Sequence, residues 1–400
     1  MIGTGGLVLG TIVALAWSAL AVRLILLTRG PWFRFLGPVG PGNLLSPDPS
    51  VAAIVPARNE AEYVEATVES LRLQDYPHLT ITVVDDESTD STLAILRRLA
   101  AEPVQNQAPL QVVAGTSRPT GWVGKTWAVH QAARLATADW LWFVDADMGL
   151  HPRALTSALA EADRVGADLV SFLPGVRCAT FWQRTIAVSF LHILAHLYPL
   201  NRVNDPTRPE AIAAGGFLLI RRSLYDRVGG HEAVRHAIIE DIALARNAKQ
   251  AGGRLAVRLT PRLAWTHMYG SFHDIWVGLR KNAYAGMDYQ PHKFLVGGFV
   301  ALGLAWVPLL TTLIGASTGS RLTVAVGIWG VLAQVVATIP NLIFVGAAFP
   351  YAFALPLGIT AYVAIATASA WEYHRGGVTW KGRSIDASTV SGRVSARADK

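Results

Sequence analysis

The chain has 400 residues, 52% of them hydrophobic and 16% charged, with a net charge of +7. About a quarter charged is ordinary for a soluble domain, so the composition excludes a wholly water-exposed protein. Cys178, the single cysteine, excludes an internal disulfide and argues against a thiolate metal centre. The modest positive charge fits a rim facing anionic lipid better than a nucleic acid polymer, since there is no basic helix or aromatic–basic module.

Residues 7–27, "LVLGTIVALAWSALAVRLILL", are apolar apart from Arg23. They suffice to cross a hydrocarbon layer of about 30 Å. The "ALA" at 19–21 resembles a signal-cleavage site, but no Lys or Arg precedes the run and the run continues past it. A retained anchor over residues 1–29 is expected, with Arg23 snorkelling to the interface.

Residues 30–293 have the alternation and charge of a globular domain. Residues 294–372 form a second apolar tract, interrupted at "STGSR" and "GAAFP", which reads as two or three spans. A basic tail, 373–400, follows; its low-complexity end beyond Asp386 is expected to be disordered.

Positive-inside bias places the globular domain on the cytoplasmic face of a multi-pass protein of the cell membrane. Three C-terminal spans would carry the tail cations (Arg375, Lys381, Arg383, Arg393, Arg397, Lys400) outside, against that bias. Two spans plus a re-entrant piece, for which "FPYAFALPLG" is the candidate, would keep them inside. Sequence leaves both arrangements open.

Within the globular part, "VAAIVPA" reads as a buried strand. "RNEAEYVEATVESLRLQ" reads as a helix capped by Asn59, with Glu62 at its third position. The strand "LTITVVDD", the helix "ESTDSTLAILRRLA" capped by Ser88 or Asp90, and the strand "LQVVAG" follow. A third helix, "TWAVHQAARLA", and a strand, "DWLWFVDADMG", complete the series. Such alternation predicts an α/β fold with a doubly wound, mostly parallel sheet. Ligands of these sheets bind beyond the carboxyl ends of the strands. Those ends carry Asp85, Asp86, Asp145 and Asp147.

Asp145 and Asp147 are two apart, so in a strand both face one side. Two hard oxygen donors suit Mg²⁺ or Mn²⁺ shared with phosphate oxygens; read alone, the pair is equally a solvated turn. "VVDDESTD" is by itself an ordinary strand-to-helix turn, or a place where Asp85 and Asp86 accept hydrogen bonds from a base and a ribose. Glu240 and Asp241 open the helix "EDIALARNAKQAGG". Acids there are favoured by the helix dipole, or one of them takes a proton from an attacking hydroxyl.

"GWVGKTWAVH" ends like a phosphate-binding loop, but the required earlier glycine falls on Pro119. Residues 180–200, "TFWQRTIAVSFLHILAHLYPL", read as an interfacial amphipathic helix or as a helix of the globular core. His192 and His196 are four apart without an acid or a third ligand, which disfavours zinc.

Taken together and in order, "VPARNEA", "VVDDESTD", "FVDADM" and "EDIALARNAKQAGG" resemble family 2 glycosyltransferases over about residues 50–290. Within that family "GWVGKTWAVHQAA", "RCATFWQR", "VNDPTRPEAIAAGG" and the flanking spans look most like the hopanoid-biosynthesis-associated (hopene-associated) membrane members. Carotenoid glycosyltransferases are cousins of these.

The resemblance implies a glycosyltransferase-A-type sheet, a nucleotide-diphosphate-sugar donor (a UDP-sugar foremost), a lipid acceptor and inversion at the anomeric carbon. It assigns the catalytic position to Asp241, beside Glu240, and the metal to Asp147 assisted by Asp145. Donor contacts fall to Pro56, Arg58, Glu60, Asp85, Asp86, Lys125, Trp127 and Asp145. Trp122, Arg280 and Lys281 are expected on the acceptor or diphosphate side. The Gln-x-x-Arg-Trp of polymer-making members is missing from "VGLRKNAYAGMDY", which disfavours a processive polysaccharide synthase. A non-catalytic membrane subunit is disfavoured by the retained acids.

Overall fold

The computed structural model describes residues 2–40, 48–102, 107–267, 270–381 and 383–386. The low-complexity end beyond Asp386 lies outside the described residues. Two compact units result. One comprises Arg34–Arg177, Leu200–His267 and Tyr373–Lys400; the other comprises Met1–Phe33, Cys178–Pro199 and Met268–Glu372.

The first unit is built on eight strands: β1 (Val51–Ala57), β2 (Leu79–Asp85), β3 (Leu110–Ala114), β4 (Trp140–Phe143), β5 (Met148–Leu150), β6 (Leu169–Arg177), β7 (Leu218–Arg221) and β8 (Leu255–His267). Their order in the sheet is β3-β2-β1-β4-β7-β6-β8-β5. Both faces of the sheet are covered, which explains the unbroken apolar runs of the central strands. Val51, Ala53 and Val55 of β1 and Trp140 and Trp142 of β4 face one core. Ala52, Ile54, Leu141 and Phe143 face the other.

Neighbours β3, β2, β1 and β4 are parallel, as the strand–helix alternation predicts. Beyond β4 the sheet is mixed: β7 is antiparallel to β4 and β6, and β5 to β8. Two local expectations change. "DWLWFVDADMG" is two strands, because the Asp145–Asp147 turn ends β4 and the chain re-enters the sheet beside β8. Asn59 caps no helix: the helix begins at Val64, and Asn59 takes a left-handed φ of 51°. A separate hairpin, β9 (Gly377–Trp380) with β10 (Arg383–Asp386), closes the unit.

The second unit holds four helices apolar and long enough to cross a membrane: Thr4–Thr28, Pro291–Thr318, Arg321–Val345 and Phe349–His374. Leu295 (65% exposed), Phe299 (81%) and Ile343 (63%) point outward from them, as lipid-facing side chains do. Between the helices large apolar side chains such as Trp17, Leu24 and Ile359 pack together, with small and polar contacts among them as in membrane bundles. Trp17 donates to the Leu304 carbonyl (2.8 Å) and Trp306 to the Thr360 hydroxyl (2.9 Å). A Cβ at Gly327 would collide with Thr312, so the two helices touch there backbone to backbone.

Packing groups two segments of residues 30–293 with these helices. The helix Phe181–Leu197, capped by Thr180 and Gln183, sets Val188 against Val335, Leu342 and Ala352. The helix Phe272–Ala283 packs Trp276, Leu279 and Ala283 on Ile365 and Ala366.

At the centre of the sheet Phe217 is fully buried, stacked on Phe172 (4.2 Å between centroids) and tilted on Trp142 (4.9 Å). Phe217→Ala should cost about 3–5 kcal/mol. The thermal unfolding midpoint of the detergent-solubilised protein should fall by several degrees, and an unchanged midpoint would remove Phe217 from the core.

Candidate active site

The chain turns from β1 outward to β2 and β3, then returns to place β4 on the other side of β1. Reversal of strand order opens a crevice beyond the carboxyl ends of β1 and β4. The loops after β1 and β2 are latched together at its rim. The Asn59 N–H donates to Ser88 Oγ (3.0 Å), and Asn59 Oδ1 accepts the Thr89 N–H (2.8 Å). The Glu60 N–H reaches Thr92 Oγ1 (2.8 Å). Asn59 and Glu87 are both held at positive φ, 51° and 54°, a strain that persists where surrounding contacts over-determine the backbone.

Asp85 and Asp86 end β2 in this rim, both buried. Asp85 Oδ2 accepts the Ser88 N–H (3.2 Å). Oδ1 of Asp85 and Oδ1 of Asp86 are buried without a hydrogen-bond partner. Burial pushes the Asp86 carboxyl above its ordinary range, against the pull of Arg383 and Arg58. Arg58 donates to the carbonyls of Asp86 (2.5 Å) and Glu87 (2.8 Å), bracing the turn. Orphaned buried acceptors of this kind fit a ligand that brings donors.

Lys125 lies in the first turn of the helix Gly124–Leu135, where the helix dipole disfavours a cation. Carboxylates offset this: Lys125 Nζ is 2.7 Å from Asp145 Oδ1 and 2.8 Å from Glu240 Oε1. Burial works against the ammonium, but Asp145, Glu240 and Asp241 together hold its pKa well above the ordinary value. Beside it His231 is kept neutral, pushed down to about 3 by burial and by the Lys125 charge. The Tyr225 hydroxyl lies 2.9 Å from its Nδ1.

Asp241 opens the helix Glu240–Gln250. Its Oδ2 accepts the Gly215 N–H and its Oδ1 the Ile242 N–H, both at 2.7 Å. Burial and the adjacent Glu240 carboxylate push its pKa up to about 7, although Lys125 and the two amides pull the other way. A side chain at Gly215 would crowd these groups: a Cβ there would lie 2.9 Å from Lys125 Nζ and 3.2 Å from Asp241 Oδ2. Pro56, Lys125, Asp145, Gly215, Glu240 and Asp241 line one cleft.

Asp147 sits two residues beyond that cleft's Asp145, and its Oδ2 accepts the Thr266 hydroxyl (3.2 Å). Burial and the Asp145 charge raise its pKa. Burial also raises Glu60, with Lys381 opposing and Asp147 and Asp145 adding to the rise. Crowded carboxylates of this sort fit a cation. Among the described residues no three His, Cys, Asp or Glu side chains form a ready-made cage. The donor set therefore suits a hard divalent ion that takes one or two carboxylates and completes its shell with water and phosphate oxygens.

Other expected site residues have contacts of their own. Trp122 is buried in an aromatic cluster with Trp127 (5.0 Å) and His130 (4.7 Å), and Trp127 donates to the Thr116 carbonyl (3.0 Å). Both tryptophans flank Lys125, but Trp122 is core rather than an open wall. Arg280 is paired with Glu372 at 2.6 Å inside the helical unit, with Lys281 next to it on the same helix. Sequence reading missed Gly215, whose sole signal was the pair "GG" ahead of β7, and Lys381 and Arg383, which reach Glu60 and Asp86 from the tail.

Residues 52–229 match the family described as Glycosyl transferase family 2. The 4,4'-diaponeurosporenoate glycosyltransferase of Staphylococcus haemolyticus (strain JCSC1435) is 26% identical over 199 residues, 49% of this chain and 51% of that protein. Its namesake from Staphylococcus aureus (strain USA300) is 24% identical over 282 residues, 70% of this chain and 65% of its own. The chain thus spans between half and two thirds of the length of these curated relatives. Among solved structures, the mannosyltransferase PcManGT from Pyrobaculum calidifontis, in complex with GDP-Man and Mn2+, aligns with a TM-score of 0.51 and 21% identity. That alignment covers 91% of this chain and 98% of that one. The fold is accordingly of the glycosyltransferase-A type, and residues 52–229 are similar to family 2 glycosyltransferases.

Because Glu240 is a principal cause of the raised Asp241 pKa, Glu240→Gln should lower it below about 7. A carboxyl titration of ¹³C-aspartate-labelled protein should show the shift. An unmoved titration would detach Asp241 from this cluster.

Proposed function

We propose that this chain is an inverting, metal-dependent family 2 glycosyltransferase that moves a sugar from a nucleotide diphosphate to the hydroxyl of a membrane lipid. The observation that carries the reading is Asp241. Its carboxyl, at about 7, is poised for proton transfer near neutrality, and it stands beside a half-buried Lys125 and the Asp145–Asp147 turn. A general base works best with a pKa near the working pH.

In the proposed reaction the acceptor oxygen attacks the anomeric carbon, its proton passes to Asp241, and the bond from that carbon to the diphosphate oxygen breaks. Attack opposite the leaving group inverts the centre. Asp147, with Asp145, would hold Mg²⁺ or Mn²⁺, which supplies charge stabilisation to the departing diphosphate. Lys125 adds a fixed cation on the same side. The unpartnered oxygens of Asp85 and Asp86 suit the N–H and O–H donors of a base and ribose. Mn2+ and GDP-Man in the Pyrobaculum mannosyltransferase support a nucleotide donor and a divalent ion.

For the acceptor, the staphylococcal relatives named for 4,4'-diaponeurosporenoate support an isoprenoid-type lipid. The motifs that resemble hopene-associated members favour a hopanoid or another isoprenoid-type acceptor. The four apolar helices support a site at a membrane, and positive-inside bias a cytoplasmic one. Lys381 and Arg383 contact the first unit's acids, which supports helices between His267 and Tyr373 that return the chain to the side it left. Two crossings satisfy this if Phe349–His374 enters and leaves on one face. Thr360 meets Trp306, and Val363 lies against Gly298, so this helix lies along the first half of Pro291–Thr318. Three candidate spans after the domain and no Gln-x-x-Arg-Trp favour single transfer over polymer synthesis.

Radiolabelled UDP- and GDP-sugars incubated with the purified protein and a total lipid extract should yield one labelled lipid. Asp241→Asn should lower the transfer rate by about 10²–10⁴-fold while nucleotide binding persists. In the wild type the rate should rise with pH through about 7, since the base must be ionised. Normal turnover by the variant would sink the assignment.

A further inference from the structure

We propose that the C-terminal hairpin is an internal competitor of the donor: Arg383 and Lys381 occupy the carboxylates the nucleotide needs, and nucleotide entry expels them. The inference rests on the donor-site reading above and concerns how that site opens.

Arg383 Nη1 donates to Asp86 Oδ2 at 2.7 Å, and its Nη2 bonds Glu87. The guanidinium fills the gap between Asp86 and the start of the Lys125 helix. At Gly124 an added Cβ would already lie 3.0 Å from Arg383 Nη1 and 3.1 Å from Asp86 Oδ2. A planar donor edge is therefore in place where a nucleobase would present its own. Asp86 Oδ2 cannot accept an imide N–H in the same lobe until the guanidinium moves.

Lys381 acts likewise at the end of β1. Its ammonium donates to the Arg58 carbonyl (2.9 Å) and bonds Glu60, the acid whose neighbours include Asp145 and Asp147. Two cations of the tail thus neutralise acids on the loops after β1 and β2 at the rim of the crevice, a role the donor and its divalent ion would take over.

The attachment is built to release. β9 and β10 pair with each other and not with the eight-stranded sheet. A lone two-stranded hairpin is marginal in water. Lys381 is itself held at φ 45°, an uncommon conformation for a side-chain-bearing residue. The contacts on the acids are ionic and weaken with salt.

The test uses the full-length protein in nanodiscs. Titration calorimetry with UDP and GDP, each with Mn²⁺, is run on the wild type and on the double variant K381A/R383A. The variant should bind nucleotide about tenfold more tightly, the correction for a site left open about a tenth of the time. Equal or weaker binding would overturn the inference, weaker binding identifying the two cations as donor ligands. No binding of either nucleotide to either protein would overturn the donor-site reading, and this inference with it. Limited trypsinolysis of the wild type reads the hairpin without any substitution. Cleavage after Lys381 and Arg383 should accelerate with saturating nucleotide, whereas unchanged or slower cleavage would overturn expulsion while leaving the donor site intact.

Discussion

The ammonium of Lys125, enclosed by Asp145, Glu240 and Asp241, is the constraint on which the rest of the site depends. A topology that aims several strand ends at one crevice also aims their acids there, and like charges in a low-dielectric space repel strongly. One fixed cation relieves part of this. It does so from a helix N-terminus, where its own dipole interaction is unfavourable and the carboxylates are what keep it charged. Glu240 and Asp241 sit at the start of another helix, where the dipole favours them. The two helix starts therefore hold opposite charges against each other, and Gly215 lets them approach.

That balance is incomplete, and the remainder is informative. Asp241, Asp147 and Glu60 all have raised pKa values, with burial the first cause and neighbouring carboxylates a further one. Each excess negative charge is a place where a proton, a divalent ion or a basic side chain is stabilised. Lys125 meets part of this demand at Asp241 and Asp147, and Lys381 does so at Glu60. Asp86 shows the same logic at the rim: one oxygen is taken by Arg383, the other is buried and orphaned.

Much of this was legible in the sequence because it is carried by local pattern. The apolar runs of β1, β2 and β4 end in charged or turn residues, so Asp85, Asp86, Asp145 and Asp147 could be placed at one edge from strand–helix alternation alone. The helix start at Glu240 was equally plain. What escaped depends on contacts between distant segments. β7 is four residues long and enters antiparallel, which no periodicity announces. Asn59 has the composition of a cap but serves as a tie between two loops, since its Oδ1 is satisfied by Thr89. Arg280 follows a familiar basic pattern, yet its partner, Glu372, lies 92 positions away.

The tail is the sharpest case. Its cations read as a solvated basic rim, because charge count and low complexity say nothing about an acidic partner some 300 residues earlier. A crevice that must bind a cation-bridged anion presents, when empty, a surplus of carboxylates. Any nearby basic segment of the same chain is drawn to that surplus unless it is tethered elsewhere. On the proposed function, the electrostatics that would select the ligand are the same that draw the hairpin onto Asp86 and Glu60.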